Sequence, residues 1–174
     1  MEETMAKKTN AMRLLDQKKV EYEAITYDPQ TAVGGVEVAR GLKEDPRRVY
    51  KTLVTVGKSG AHYVFVIPSL RELDLKKAAK VVGEKAIQMI PQKELLPLTG
   101  YVHGGCSPVG MKKFFRTTLD ESAEGLDYIY VSGGERGLQL KLRPDDLSRV
   151  IRFTYADVAT EDEDVPTNEG VAAD

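Results

Sequence analysis

Two β-rich runs, Tyr50 to Val56 and Ala61 to Ile67, flank Gly57-Lys58-Ser59-Gly60, and no other feature restricts the fold as much. Branched and aromatic side chains suit a pleated, half-buried surface, and a short glycine-bounded connection turns the chain back, so an antiparallel hairpin is expected. Other short runs read as strands for the same reason: Val20 to Tyr27, Lys85 to Ile90, Phe114 to Leu119, Tyr128 to Ser132 and Leu138 to Leu142, with Phe153 to Val158 packing at the end. Helical spacing is confined to a few places. Thr9 can cap a helix in which Ala11, Leu14 and Leu15 share a face, ending near Lys19. Val36 to Leu42 is short and amphipathic, and Asp45-Pro46 has the order of a cap and a first-turn proline. Asp74 begins a clearer helix, with Leu75, Ala78, Ala79 and Val82 as its buried stripe and Gly83 as its stop. Brief helical turns are expected over 92–96, closed by Pro97, and over 144–151. Strands this numerous, without regular alternation with helices, indicate an α/β chain of the α+β type. The expected architecture is a mixed β-barrel with surrounding helices, not a doubly wound sheet.

At 174 residues and 41% hydrophobic, the chain can bury one full core. Its charge is unevenly placed. Residues 161–174 hold six of the 27 acidic residues and no Lys or Arg, which leaves 25 basic against 21 acidic residues in the body. A mildly positive body is compatible with a weak, transient contact to RNA, and the acidic stretch has the composition of a disordered tail. The expected organisation is a flexible start over 1–8, one domain over 9–158 and the tail over 159–174. No apolar run approaches a membrane span, and Met1 to Met5 lacks the basic-then-apolar order of a secretory signal, so a cytoplasmic protein is expected. Cys106 is the only cysteine and His62 and His103 the only histidines, which gives no internal disulfide and no ligand cluster for structural zinc. No metal or cofactor is implied.

The residues alone leave several chemistries open. His103 and Cys106 could form a base and nucleophile pair, although a lone cysteine in a glycine loop is more often a packing residue. Gly104 and Gly105 could present backbone amides to an anion with Lys112 and Lys113 nearby, but the spacing is not that of a nucleotide-hydrolysing phosphate loop. Lys51 falls inside the first hairpin strand, on the face shared with Val49 and Leu53, where a lysine needs either a partner or a route to water. Arg136, in the glycine-flanked turn 133–137, could take a carboxylate or phosphate, or simply face solvent.

Four segments stand in a distinctive order and spacing: Lys51-Thr52-Leu53-Val54, Leu73-Asp74-Leu75-Lys76-Lys77, the stretch from Thr99 through His103-Gly104-Gly105-Cys106-Ser107-Pro108 to Lys113, and Tyr130 to Leu138. Together they resemble the YbaK/EbsC family of trans-editing aminoacyl-tRNA deacylases. The likeness runs from about Lys8 to Val158 and is nearest to the branch that removes cysteine from tRNA(Pro). The resemblance implies a mixed β-barrel like the editing domain of prolyl-tRNA synthetase. It also implies that Lys51 is the key polar residue, with Gly104 and Gly105 offering amides to the reacting carbonyl. Tyr27, Thr52, Cys106, Ser107, Pro108, Ser132 and Arg136 are the expected substrate-binding residues. The implied partners are the acceptor end of tRNA(Pro) and prolyl-tRNA synthetase.

This chain departs from the family pattern at three places. It has Gly34 where relatives usually carry an aromatic residue, Cys106 where they often have isoleucine, and Gln139 where some have aspartate. The change at 106 favours packing over nucleophilic work, and the one at 34 would widen a pocket. In the mechanism the family implies, the substrate's own thiol attacks its ester carbonyl and expels the tRNA, and water opens the cyclic thioester. The alternatives carried forward are action on Cys-tRNA(Cys), a deacylase for another amino acid such as Ala-tRNA(Pro), and a non-catalytic module that binds tRNA or a synthetase.

Overall fold

The computed structural model describes residues 8–30 and 35–161. In chain order they form α1 (Asn10–Gln17), β1 (Glu23–Thr26), α2 (Gly35–Leu42), β2 (Tyr50–Gly57), β3 (His62–Pro68), α3 (Leu75–Val82), β4 (Ile87–Met89), α4 (Leu95–Thr99), β5 (Arg116–Asp120), β6 (Ile129–Ser132), β7 (Leu138–Leu142) and β8 (Phe153–Ala156). Short 3-10 turns cover Pro46–Arg48, Gln92–Glu94, Glu121–Ala123 and Pro144–Arg149. Gly34 and the acidic stretch 162–174 lie outside the described residues.

Local signals act where the sequence places them. The Thr9 hydroxyl accepts from the Met12 amide at 3.2 Å, the Asp45 carboxylate from Arg47 at 2.9 Å, and the Asp74 carboxylate from Lys76 and Lys77 at 3.1 and 3.0 Å. Each bond satisfies a first-turn amide that has no acceptor within its own helix. Two details differ from expectation. Ala78, Ala79 and Val82 pack with Phe65, Ile67 and Leu73, but Leu75, in the first turn, stays 42% exposed. Pro97 does not close a helix: it is the third residue of α4, within the first turn, where a missing N–H breaks no helical bond.

The hairpin β2–β3 is the centre of a five-stranded sheet ordered β4-β2-β3-β5-β8. Its β4-β2-β3 part is antiparallel, and its β3-β5-β8 part is parallel. A second, antiparallel sheet is ordered β1-β7-β6. The two sheets meet at one parallel bridge, Val49 to Tyr130. Between them lies the main core, into which β2 sends Tyr50 and Val54, β6 Ile129 and Val131, and β7 Leu138, Leu140 and Leu142, with Leu15 of α1 at one end. Burying each such aliphatic side chain contributes about 1.5–3 kcal/mol. Strand alternation then turns Val49 and Leu53 the other way, toward clusters around α2 and α3. This mixed, curled pair of sheets with helices outside matches the architecture read from the sequence. The body continues past Val158: the Ala159 amide donates to Asp120 and the Thr160 amide to the Glu72 carbonyl.

Candidate active site

One edge of β2 is shared by two strands, and neither covers its middle. β4 pairs with Thr55 to Gly57 and adds a bond from the Ile90 amide to the Val54 carbonyl at 3.3 Å. On the same strand β6 makes only the Val49 bridge. Lys51 to Leu53 therefore have no strand neighbour on this edge. In an antiparallel ladder a residue's N–H and C=O share an edge and successive residues alternate. Because Val54 turns its carbonyl to Ile90, Thr52 turns its main-chain groups to the same side, into the gap. A cavity of about 470 Å³ occupies this gap, lined by Tyr27, Val38, the β2 segment, Met89 and Ile90 beyond β4, Leu95, the loop after α4, Ser132 and Gln139.

The loop wall has a fixed shape. The Thr99 hydroxyl accepts from the Tyr101 amide at 3.0 Å, the Tyr101 hydroxyl donates to the Val109 carbonyl at 2.6 Å, and Ser107 Oγ accepts from the Val109 amide at 3.2 Å. Gly104 has a φ of +88°, and a Cβ at Gly105 would stand 2.8 Å from the Glu135 Cα and 2.9 Å from the Arg136 nitrogen. The glycine pair thus allows a left-handed turn followed by close contact with the 135–136 backbone. The Gly105 amide donates to the Val102 carbonyl at 2.9 Å, so it is engaged within the loop itself.

Among the described lining residues Lys51 alone carries a permanent charge. Its ammonium has no hydrogen-bond or ion-pair partner among the described residues. Burial pushes its pKa below the ordinary lysine value, opposed by the field of the Glu72 carboxylate. Thr52 Oγ1 and Gln139 Oε1 are also buried without a hydrogen-bond partner. Thr118 Oγ1 on β5 is in the same condition away from the cavity, and nothing in the structure explains it. Ser132 Oγ accepts from the Gly134 amide at 3.2 Å, which leaves its own proton to donate. Cys106 is only 7% exposed, and burial pushes its thiol up to about 12, despite a hydrogen bond with Thr99 that acts the other way. A thiol so held is protonated at neutral pH and is a poor nucleophile. No three His, Cys, Asp or Glu side chains among the described residues are grouped to hold a metal ion.

Of the residues singled out in the sequence, Lys51, Thr52, Tyr27, Gly104, Cys106 and Ser132 line this one cavity. Gly105, Ser107 and Pro108 lie behind its wall as buried parts of the loop, and the exposed Arg136 side chain covers Gly104 from outside. His103 reaches the cavity, but the buried, protonated Cys106 gives it no thiolate to generate. Sequence reasoning passed over Met89, Ile90, Gln92 and Leu95, which come from elements that only the fold brings to β2. Gln139 was noticed only as a departure from the family. Its sequence signal was a polar residue flanked by two core leucines, Leu138 and Leu140, in a strand with no other neutral polar side chain.

Comparison with known proteins shows the family to which the chain belongs. Residues 31–150 match the family described as the aminoacyl-tRNA editing domain. The chain is 42% identical over 156 residues to the candidate Cys-tRNA(Pro)/Cys-tRNA(Cys) deacylase EbsC of Enterococcus faecalis, a match covering 89% of this chain and 95% of that protein. A stretch of 100 residues, 58% of this chain, is 30% identical to the proline–tRNA ligase of Thermosipho africanus, of which it covers 18%. In three dimensions the chain resembles the crystal structure of a candidate trans-editing enzyme for prolyl-tRNA synthetase, with a TM-score of 0.77, 25% identity, and coverage of 90% of this chain and 100% of that one. The split strand edge, the unpaired lysine at its centre and the glycine loop facing it therefore sit in a chain that belongs to the aminoacyl-tRNA editing domain family.

Proposed function

We propose that this protein is a trans-editing deacylase that hydrolyses mischarged Cys-tRNA(Pro), and Cys-tRNA(Cys) by the same chemistry. The observation that carries the chemistry is the composition of the cavity: one unpaired ammonium, a few neutral hydrogen-bonding groups, and a cysteine held as a thiol. Such a site is poor in nucleophiles of its own and suits a substrate that supplies one. A cysteinyl ester does, since an ordinary thiol with a pKa of about 8.5 is a few per cent thiolate at neutral pH. Its sulfur attacks the ester carbonyl carbon, a C–S bond forms, and the C–O bond to the ribose breaks. The thiol proton goes to the departing ribose oxygen, and water then opens the cyclic thioester to free cysteine.

The protein's part is to fold the substrate and to stabilise negative charge. Lys51, in a largely apolar cavity, faces the acyl oxygen as it gains charge, with Ser132 as a second donor. Low polarity around an unpaired ammonium strengthens that attraction, and a prearranged donor of this kind is worth about 3–4 kcal/mol in well-studied hydrolases. The ribose and terminal base remain at the mouth near Tyr27 and His103. The partner that presents the tRNA is prolyl-tRNA synthetase, a reading supported by the description of the similar solved structure as a trans-editing enzyme for that synthetase. A tRNA substrate is consistent with action in the cytoplasm. No described helix is long and apolar enough to cross a membrane.

The test is release of amino acid from tRNA(Pro) charged with cysteine, alanine or proline, with and without the synthetase. Selective loss of cysteine is expected, faster in the presence of the synthetase. Preferential release of alanine would move the assignment to another editing activity, and tight tRNA binding without turnover would make the protein a binding module.

A further inference from the structure

Gln139 stands in β7 between Leu138 and Leu140, whose side chains enter the main core, so strand alternation turns it to the opposite face. It is only 6% exposed, it lines the cavity that holds Lys51, and its Oε1 has no hydrogen-bond partner among the described residues. A buried amide oxygen without a donor weakens the fold, whereas a leucine of similar size would not. The described lining residues include no carboxylate. A cationic group entering the cavity must therefore be met by neutral oxygens.

Resting on the deacylase reading, we propose that Gln139 Oε1 accepts a hydrogen bond from the α-ammonium of the aminoacyl group and so reads its free amine. The acyl group of the substrate has one cationic donor, the α-ammonium, and one oxygen that gains negative charge, the carbonyl. The cavity holds one unpartnered ammonium and two buried, unpartnered side-chain oxygens, Thr52 Oγ1 and Gln139 Oε1. Of these two only the amide oxygen is purely an acceptor, so it suits the cationic donor, while Lys51 suits the carbonyl oxygen.

The experiment compares kcat/KM for cysteinyl-tRNA(Pro) and for its desamino analogue, 3-mercaptopropionyl-tRNA(Pro), which keeps the sulfur and lacks the amine. Both are given to the wild-type protein, Gln139→Leu and Gln139→Glu. The readout is the preference for the amine-bearing ester relative to wild type, which cancels the intrinsic reactivity of the two esters. Gln139→Leu is expected to shrink that preference about tenfold by losing rate on the cysteinyl ester alone. Gln139→Glu, which offers only acceptors, is expected to keep it. An unchanged preference in Gln139→Leu, or an equal fall on both esters, overturns the proposal. A preference lost in Gln139→Glu would assign the NH2 end of the amide to the substrate and overturns it as well. No turnover of either ester by the wild-type protein would instead contradict the deacylase reading, and this inference with it.

Discussion

Two charged side chains are drawn away from water, and the chain treats them in opposite ways. Asp120, 1% exposed at the end of β5, accepts from the amides of Ser122, Val158 and Ala159, each at 3.1 Å, and faces the Arg71 guanidinium at 3.7 Å. Arg71 in turn donates to the Thr160 carbonyl at 2.6 Å, so one carboxylate ties together β5, the segment after β3 and the last described residues. Lys51 has no such partners. Complete pairing makes a buried charge part of the fold, whereas an unpaired one weakens the fold and is available to a ligand. Stability and activity should therefore separate between these two sites.

The largest expected effect is on folding. Asp120→Ala leaves the buried Val158 and Ala159 amides without their acceptor and Arg71 without its counter-charge, and should cost about 3–5 kcal/mol, read as a lower denaturant midpoint with little change in slope. Its folded fraction should still hydrolyse ester. Next comes Lys51→Ala, expected to slow deacylation by about a hundredfold or more, while the melting temperature holds or rises because a partly desolvated charge is removed. The pH dependence has a definite sign. Lysine 51 has a folded pKa below its unfolded value, so its charged form opposes folding at neutral pH. That penalty fades as pH rises through the interval between the two values. The wild-type protein should accordingly gain stability relative to Lys51→Met on going from neutral to alkaline pH. A lysine variant that loses stability and keeps activity would erase the contrast with Asp120.

Smaller effects sharpen it. Gly105→Ala should cost about 1–3 kcal/mol, because the new Cβ meets the 135–136 backbone at 2.8–2.9 Å, and should raise KM by displacing the loop wall. Cys106→Ala should cost about 1 kcal/mol or slightly more through lost packing and retain most activity, which a steady-state assay would show.

Much of this was legible in the chain itself. The hairpin, the caps at Thr9, Asp45 and Asp74, and the strand over 138–142 follow from local propensities that the fold did not override. Lys51 stood out because a lysine in an apolar strand position needs a reason. What could not be read was the gap beside it, which depends on where β4 and β6 stop along β2. That is a matter of register between segments far apart in sequence, as is the convergence of Gln139, Ile90 and Leu95 on one cavity. The two glycines illustrate the limit well. Their pattern suggested paired amides for an oxyanion, yet the Gly105 amide is bonded within the loop, and its missing Cβ makes room for another turn of backbone.

The most direct measurement is the rate of amino-acid release from cysteinyl-tRNA(Pro) and seryl-tRNA(Pro) side by side. Serine is nearly the same size as cysteine, and its hydroxyl is a far weaker nucleophile at neutral pH. Attack by the substrate's sulfur predicts rapid release of cysteine and persistence of the seryl ester. Comparable release of both would contradict it and point to a water molecule activated by the protein.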